Sequence, residues 1–178
     1  MTLEVQPIQC ITPTGIKVDG KETEYDLIVL STRFRTLEFM SPIKISGHGG
    51  RRITDIWRSG ARALYGVTIE SLSNFAILYG LNTSMIHNSI IPMIEAQSLY
   101  INTLTGAMLQ VCASGKSLRI VPTPTRVKDL NKKLQIRLNT SSLAHPNCTS
   151  WFKNEEGTIT NTWSGTVVDC QSLMARFS

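Results

Sequence analysis

Residues 78–100 read Leu78-Tyr-Gly-Leu-Asn-Thr-Ser-Met-Ile-His-Asn-Ser-Ile-Ile-Pro-Met-Ile-Glu-Ala-Gln-Ser-Leu-Tyr100, and the pattern changes within them from strand to helix. The apolar run 74–79, closed by Gly80, is typical of a buried strand. Beyond the glycine, apolar residues recur at helical spacing, namely Ile90, Ile94, Ile101, Leu104 and Met108, with Met93 and Tyr100 beside them. The sequence therefore predicts a strand, a glycine turn and an amphipathic helix over residues 89–112, packed on a small sheet that includes residues 75–79 and a second strand over residues 117–121.

The start of this helix carries its own signals. Asn88 or Ser89 can cap it, and Pro92 falls in the first turn, where no intrahelical donor is lost. Unpaired N–H groups and the positive end of the helix dipole would then face the turn 80–88 and favour a negative or polarised ligand group. A plainer alternative is that these polar residues only cap the helix, and the residues by themselves leave both interpretations open.

Residues 80–97 resemble the segment GPNT-x-x-x-HNSI-x-x-MIE-x-Q of the flavin-containing, Baeyer–Villiger-type monooxygenases, with Leu81 in place of the usual proline. In that family the segment closes the FAD domain, and its turn and helix start lie against the pyrimidine side of the isoalloxazine ring. The resemblance therefore implies flavin-side, cofactor-binding roles for five residues of this chain: Gly80, Asn82, His87, Asn88 and Ser89.

The first 32 residues carry strand signals. Residues 8–11 and 16–18 are short extended runs, and Asp19-Gly20 between extended segments is typical of a hairpin turn. The continuous apolar run over residues 26–30 predicts a buried central strand. These elements resemble the end of the NADPH domain of the same family, on the residues Thr12, Gly15, Ile16, Asp19, Gly20, Glu22, Asp26, Ile28 and Val29.

The family places an Ala-Thr-Gly linker after this point, between its NADPH and FAD domains. Here the linker reads Ser31-Thr32-Arg33-Phe34, so the resemblance implies that Thr32 contacts a cofactor. Arg33 replaces the glycine, and a bulky side chain is costly wherever the backbone needs a positive φ. The hinge is therefore the place where this chain departs from its family.

Two more passages carry the resemblance. Gly47-His-Gly-Gly50 has neither the GxGxxG spacing nor the Lys-[Ser/Thr] of a phosphate loop, so it predicts a turn. Trp57 is expected in the core, as a lone apolar-flanked tryptophan usually is. The tail over residues 148–165 predicts a hairpin around residues 154–157 and resembles the family ending that belongs to the substrate-side wall.

Composition places the chain among ordinary globular proteins, with 178 residues, 42% hydrophobic residues and 17% charged residues. The net charge of +5 is concentrated over residues 126–137. That segment has apolar residues at helical spacing, which are Val127, Leu130, Leu134 and Leu138, and it predicts a basic amphipathic helix over residues 125–139 capped by Thr125. It lacks the interleaved aromatic residues of a nucleic-acid surface, so no nucleic-acid partner is expected.

Several kinds of site find no support in the pattern. The four cysteines are far apart, and the three histidines are scattered, so the sequence predicts neither a disulfide framework nor a metal site. No serine or cysteine lies in a hydrolase motif. The first residues carry no signal-peptide pattern and no apolar run is long enough to span a bilayer, so a cytoplasmic protein is expected.

The resemblance implies an α/β fold that is part of a two-dinucleotide-binding-domain flavoprotein, a mixed sheet with a long helix. Residues 1–32 would be the end of the NADPH-binding domain, and residues 33–178 the carboxy-terminal part of the FAD-binding domain with its substrate-side tail. It covers nearly all of this chain, but only about the last third of a family member. The sequence contains no GxGxxG and no FxGxxxHxxxW fingerprint, and no catalytic residue can be assigned.

By this resemblance the protein is an oxidoreductase, an FAD- and NADPH-dependent monooxygenase that oxidises a small organic substrate. The reaction would be Baeyer–Villiger oxidation of a ketone or oxygenation of a heteroatom through a C4a-(hydro)peroxyflavin, with the cofactor carrying the chemistry. The chain is expected to be inactive by itself, to expose an apolar sheet face, and to need a complementing amino-terminal flavin domain. The alternative is a non-catalytic remnant or interaction module that packs against a separate flavin domain.

Overall fold

The computed structural model describes residues 7–31, 38–85, 89–146, 148, 150, 152–154 and 156–177. The chain divides into two compact units, Met1–Arg35 and Thr36–Ser178. The first unit holds the strands and the second holds the helices. None of the helices in the described ranges has both the length and the apolar composition that a bilayer crossing needs.

The first unit is a three-stranded antiparallel sheet of β1 (Ile8–Ile11), β2 (Gly15–Val18) and β3 (Lys21–Glu24), in that order. Asp19 and Gly20 connect β2 to β3 with φ angles of 49° and 75°, a pair of positive values that suits a tight hairpin turn. The predicted hairpin is therefore confirmed. Its second strand is β3, however, and not the apolar run over residues 26–30.

The expectation of a buried central strand at residues 26–30 is wrong. These residues are described and lie outside any strand, and Leu27, Val29 and Leu30 are 77%, 79% and 66% exposed. In the described part of the chain, β3 pairs only with β2, so no ladder is available to bury the run. An apolar segment without a pairing partner is a surface that favours association.

The second unit contains four helices: α1 (Ile53–Ile56), α2 (Ile91–Ala113), α3 (Pro124–Leu138) and α4 (Val167–Met174). Short 3₁₀ turns occupy residues 48–50, 142–144 and 175–177. The predicted turn at residues 47–50 is thus confirmed as the first of these. Trp57 packs against a hydrophobic cluster formed by α1 and the loops that follow it. Its ring lies edge to face with that of Phe39, with 6.0 Å between the ring centroids.

The long predicted helix is confirmed as α2, but its buried face and its partners differ from the expectation. Met93, Ala96 and Tyr100 form the buried stripe, together with Gln97, whereas Ile90 is 41% exposed. The stripe packs against the other helices, through Leu134 of α3 and Cys170 and Met174 of α4. The helix therefore rests on a layer of helices and loops and not on a sheet.

Residues 75–79 and 117–121 were expected to be strands of that sheet, and both expectations are wrong, since all of these residues are described and none lies in a strand. Asn74 and Tyr79 flank the first run with φ angles of 54° and 53°, which leaves only an isolated bridge between Ala76 and Thr68. The run 117–121 is held by a side chain, since Asn74 donates to the Leu118 carbonyl and accepts from the Ile120 N–H. The Asn74 side chain thus makes hydrogen bonds to this run that a partner strand would otherwise make.

The basic segment forms α3 as predicted, with Val127, Leu134 and Leu138 buried. The helix begins two residues earlier than expected, because Thr123 is the N-cap and Pro124 occupies the first turn. In α4 the Thr166 hydroxyl accepts from the Asp169 N–H, and the carboxylate accepts from the Thr166 N–H, which completes a capping box. The Thr166 N–H and, as the smaller effect, the Thr166 hydroxyl donate to the Asp169 carboxylate, and both hydrogen bonds lower the pKa of Asp169.

The four cysteines are free thiols that differ in environment, and this predicts a difference in reactivity. Cys10 and Cys112 are exposed, whereas Cys170 is 1% exposed and its burial raises its pKa to about 11. At a pH of about 8 such a thiol is roughly one part in a thousand ionised. We expect iodoacetamide to modify Cys10 and Cys112 quickly and Cys170 only in denaturant, as measured by peptide mass spectrometry. Equal labelling of Cys170 and Cys112 in the native protein would contradict the packing of α4.

Candidate functional site: the turn before the long helix

The turn before α2 is joined to the tail of the chain by one buried amide. Asn82 is 3% exposed, and its Nδ2 donates to the carbonyls of Ile159 at 2.9 Å and Thr162 at 3.0 Å. Its backbone N–H donates to the Thr160 carbonyl at 2.7 Å. Both side-chain N–H groups of Asn82 are therefore engaged within the protein, and the turn and the tail are held as one piece.

Ser84 extends the same connection by one more step. Its N–H donates to the Asn161 carbonyl at 2.9 Å, and its own carbonyl accepts from the Trp163 N–H at 2.9 Å. Its hydroxyl lies 3.1 Å from the Tyr79 hydroxyl. These bonds form a single parallel bridge with Thr162, so the segment expected on the substrate side runs directly beside the segment expected on the flavin side.

Two glycines, Gly66 and Gly80, lie where the loop around residue 66 is in close contact with the turn before α2. A Cβ on Gly66, where φ is +70°, would lie 2.5 Å from the Leu81 carbonyl oxygen and 2.2 Å from the Thr83 methyl carbon. A Cβ on Gly80 would lie 2.3 Å from the Gly66 carbonyl oxygen. Neither position has room for any side chain, so the close approach of the two loops requires glycine at both.

Gln97 supports the turn from α2 and was missed by the sequence analysis as a functional residue. Its side chain is fully buried, its Oε1 accepts from the Tyr79 N–H at 2.8 Å, and its Nε2 donates to the Tyr65 carbonyl at 3.4 Å. The sequence does indicate a buried polar role, because Gln97 is a polar residue among the apolar positions of an amphipathic helix. A buried amide that pairs with two loop backbones orients those loops.

The structure describes three of the six residues predicted to contact a cofactor. Gly80 and Asn82 are buried within the turn, and Ser89 is exposed beside the start of α2. His87, Asn88 and Thr32 lie outside the described residues. The cofactor contacts of all six therefore stay predictions.

The expectation of unpaired N–H groups at the start of α2 is wrong for the described residues. Ile90 is the N-cap, the Ile91 N–H donates to the Ser89 hydroxyl at 3.3 Å, Pro92 has no N–H, and Met93 donates to the Ile90 carbonyl. Ser89, one of the two predicted caps, thus accepts from the first turn of the helix, although Ile90 is the N-cap residue. This terminus presents a nearby ligand with the partial charge of the helix dipole and not with free donors.

The described part of the turn, residues 80–85, has hydrogen-bonding groups but no side chain that can transfer a proton near neutral pH. Residues 80–85 are Gly, Leu, Asn, Thr, Ser and Met. Among the described residues, the tail beside them contains buried hydroxyls without a hydrogen-bond partner, at Thr160, Thr162 and Ser164. Tyr100, in the supporting core, has its pKa raised by burial, so its phenol is protonated at neutral pH. The described residues of the turn are therefore suited to positioning a ligand.

We expect the isosteric change Asn82→Asp to destabilise the protein by about 2 kcal/mol or more, because two donors become acceptors that face the Ile159 and Thr162 carbonyls. Chemical denaturation measures this change. Asn102→Asp, on the exposed face of α2, is the matched control and should cost no more than about 0.5 kcal/mol. Similar costs for the two substitutions would show that the amide does not hold the tail.

The glycine crossing gives a second matched pair. Gly66→Ala places a methyl group against backbone atoms at a positive φ, and we expect a loss of about 3 kcal/mol or more in the free energy of unfolding. Gly115→Ala has a similar φ of +74° with nothing within 4 Å of the new Cβ, so it measures the backbone strain by itself, about 1 kcal/mol. If both variants lose the same stability, steric contact at the crossing contributes nothing.

No protein-family model matches the chain. Curated relatives match over most of its length. The chain is 49% identical over 174 residues to an FAD-binding monooxygenase of Aspergillus niger, covering 98% of this chain and 29% of that protein. It is 31% identical over 156 residues to a Baeyer–Villiger monooxygenase of Streptomyces coelicolor, covering 88% of this chain and 30% of that protein. The chain thus spans about a third of the length of the curated relatives it matches.

Solved structures agree with these sequence matches. An oxidised steroid monooxygenase bound to NADP superposes with a TM-score of 0.71 at 26% identity, over 99% of this chain and 33% of that one. The closed form of a cyclohexanone monooxygenase superposes with a TM-score of 0.74 at 22% identity, over 96% of this chain and 32% of that one, which bears on the fold alone. Motif, sequence and fold coincide on one group of proteins, and this chain is similar to one part, about a third in length, of the flavin-dependent, Baeyer–Villiger-type monooxygenases.

Proposed function

We propose that this chain forms the flavin-facing turn and the substrate-side tail of an FAD- and NADPH-dependent monooxygenase that acts on a small organic substrate. The observation that carries the proposal is the joining of Asn82 and Ser84 to residues 159–163. Two segments that the family resemblance assigns to opposite sides of one reaction site are here a single hydrogen-bonded unit. A ketone or a soft heteroatom is the group that such an enzyme would oxygenate.

The same proposal assigns the two parts of the chain. Residues 1–32 correspond to the end of an NADPH-binding domain, and residues 33–178 to the carboxy-terminal part of an FAD-binding domain. The division of the chain at Arg35 and Thr36 supports this assignment, since it falls a few residues after the expected linker. The three-stranded sheet supports it as well, because a small antiparallel sheet and a long helix match parts of the solved monooxygenases.

The described residues fit one edge of a flavin and not the rest of the dinucleotide. At the turn, the crossing with Gly66 and the hydrogen bond of Gln97 to the preceding loop hold the backbone in place, so the turn can meet a planar ring without rearranging. The buried hydroxyls of Thr160 and Thr162 have no partner in the described part of the chain. By contrast, the sequence contains no GxGxxG to receive the pyrophosphate. FAD, when bound, supplies the hydride acceptor and the oxygen chemistry.

In this arrangement the residues of the chain have positioning roles. Gly80 keeps the backbone of the turn close to the ring edge, and the amide of Asn82 serves the tail, because both of its N–H groups are engaged there. Ser89 fixes the start of α2, whose dipole favours developing negative charge on the adjoining ring edge. Water exclusion on the substrate side comes from the tail around Trp163, which is 8% exposed.

Binding energetics support the expectation that the chain does not hold FAD tightly by itself. A few hydrogen bonds from the turn contribute about 1 kcal/mol each. Association costs roughly 4 kcal/mol or more in lost translational and rotational freedom. Without a pyrophosphate loop, the cost exceeds the gain. The exposed side chains of Leu27, Val29 and Leu30 are suited to packing against a complementing flavin domain.

A non-catalytic interaction module is the second candidate, and one observation favours it. Arg33 occupies the linker position that is glycine in the family, where a side chain opposes the backbone conformation expected of a hinge. In that case the exposed apolar run would still dock onto a flavin domain, but without turnover.

The test is reconstitution. We expect the purified chain, mixed with FAD and NADPH, to lose its flavin on desalting and to show no substrate-dependent NADPH oxidation. Adding the amino-terminal two thirds of the Aspergillus niger relative should produce flavin retention and NADPH oxidation with a ketone substrate. Asn82→Asp in the same mixture should lower the activity, whereas Asn102→Asp should not.

The outcomes separate the candidates. Retained flavin without oxidation in the mixture would support the interaction module. Stoichiometric flavin on the chain by itself, with turnover, would contradict the proposal, because the chain would then contain a dinucleotide site of its own.

A further inference from the structure

An open pocket of about 500 Å³ lies in the second unit, apart from the residues of the turn and the tail. Its polar side is formed by His48, Arg51, Ser71, Ser73 and Arg119. Its apolar side is formed by Val121, Pro122 and Pro124, where the chain enters α3. No lining residue is acidic, so two guanidinium groups face the cavity without a carboxylate among its walls.

The walls of this pocket are held together by backbone hydrogen bonds between three distant segments. The His48 N–H donates to the Ser71 carbonyl at 2.9 Å, and a Cβ on Gly47 would lie 2.2 Å from the same oxygen. The segment carrying Arg119 is fixed by Asn74, whose N–H donates to the Ile120 carbonyl at 2.9 Å. The pocket is therefore part of the packed unit and not a gap between loose surface side chains.

The two arginines differ in how they are used. Arg51 donates from Nη1 to the Ser71 hydroxyl at 3.2 Å, which orients its guanidinium along the wall. Arg119 has no hydrogen-bond or ion-pair partner within the described part of the chain. The donors of Arg119 are therefore available to an anion in the pocket, where Arg51 is a second positive charge.

We propose that this pocket binds the phosphate group of a small phosphate monoester. Arg51 and Arg119 would donate to its oxygens, with the Ser73 hydroxyl as a further donor. A phosphate monoester has about two negative charges at neutral pH and three strong acceptor oxygens, which suits donors arriving from more than one wall. The volume lies within the range of small-molecule sites, about 300–1,000 Å³, and leaves room for an organic group along the proline side.

The field of the neighbouring helix adds to this preference. Pro122 and Pro124 flank the N-cap of α3, a helix of 15 residues, so the positive end of its dipole adjoins the apolar side of the pocket. Neither proline has a backbone N–H, so Pro122 and Pro124 themselves contribute no backbone donor to the pocket. Arg119 and Arg51 remain the groups that would contact the ligand.

Titration calorimetry on the full chain tests the proposal, with inorganic phosphate and AMP as phosphate probes and adenosine and acetate as comparisons. We expect saturable one-to-one binding of both phosphate probes that weakens as salt is added. Adenosine should not bind, and acetate should bind at least about tenfold more weakly, because it has one charge and two oxygens. Absence of saturable phosphate binding, or equal binding of acetate, would overturn the assignment.

Matched arginine variants assign the site. Arg119→Gln should weaken AMP binding at least about tenfold, which corresponds to one lost charge-assisted hydrogen bond. Arg119→Lys keeps the charge without the fork and should lie between that variant and the unaltered chain. Arg176→Gln removes an equal charge outside the pocket and should change binding less than about twofold. Equal loss in the Arg119 and Arg176 variants would reduce the effect to net charge and overturn the proposal. Unaltered thermal unfolding of Arg119→Gln, expected because its side chain has no described partner, excludes misfolding as the cause.

Discussion

The second unit depends on a buried amide that pairs with backbone groups about eighty residues further along the chain. Asn82 donates to Ile159 and Thr162, separations of 77 and 80 residues, and no strand ladder supports the contact on either side. One short side chain thus donates to two carbonyls of the tail, and the Thr162 carbonyl accepts from no other donor in the described part of the chain. Because removing that side chain would leave this acceptor unpaired and break the contact with Ile159, the turn and the tail stabilise each other.

Other side-chain amides in this unit also hydrogen-bond to backbone groups that are distant in the sequence. The Asn74 side chain donates to the Leu118 carbonyl and accepts from the Ile120 N–H. Gln135 of α3 pairs with the backbone of Ile159, donating at 2.7 Å and accepting at 3.3 Å. Gln97 joins two loops from α2. An Asn or Gln side chain presents one donor and one acceptor group, as a peptide unit does. Irregular loops can therefore stay packed on helices without becoming strands.

This construction has a conformational cost that is concentrated around the turn. Tyr65, Tyr79 and Asn82 have φ angles of 56°, 53° and 52°, each of which costs roughly 1 kcal/mol or more for a residue with a side chain. The hydrogen bonds of Gln97 and Asn82 to the same loops offset that cost. A turn held in this way cannot adjust its backbone easily, which suits a surface that must present the same geometry to a flat ring. The crossing of Gly66 and Gly80 adds to this rigidity, because the two loops meet there with no space for a side chain.

The sequence by itself determined the elements whose signals are local: the Asp19-Gly20 hairpin, the long helix that became α2, the basic helix α3, and the motif that identifies the family. Each depends on residues within one or two turns of one another, so pattern suffices. Only the tertiary structure decided that residues 75–79 and 117–121 are not strands, that Gln97 faces the core, and which carbonyls Asn82 satisfies. Apolar runs carry no information about their partners. Such a run becomes a strand only where a neighbouring backbone pairs with its N–H and C=O groups. Tertiary packing determines whether that backbone or a distant side-chain amide lies beside the run.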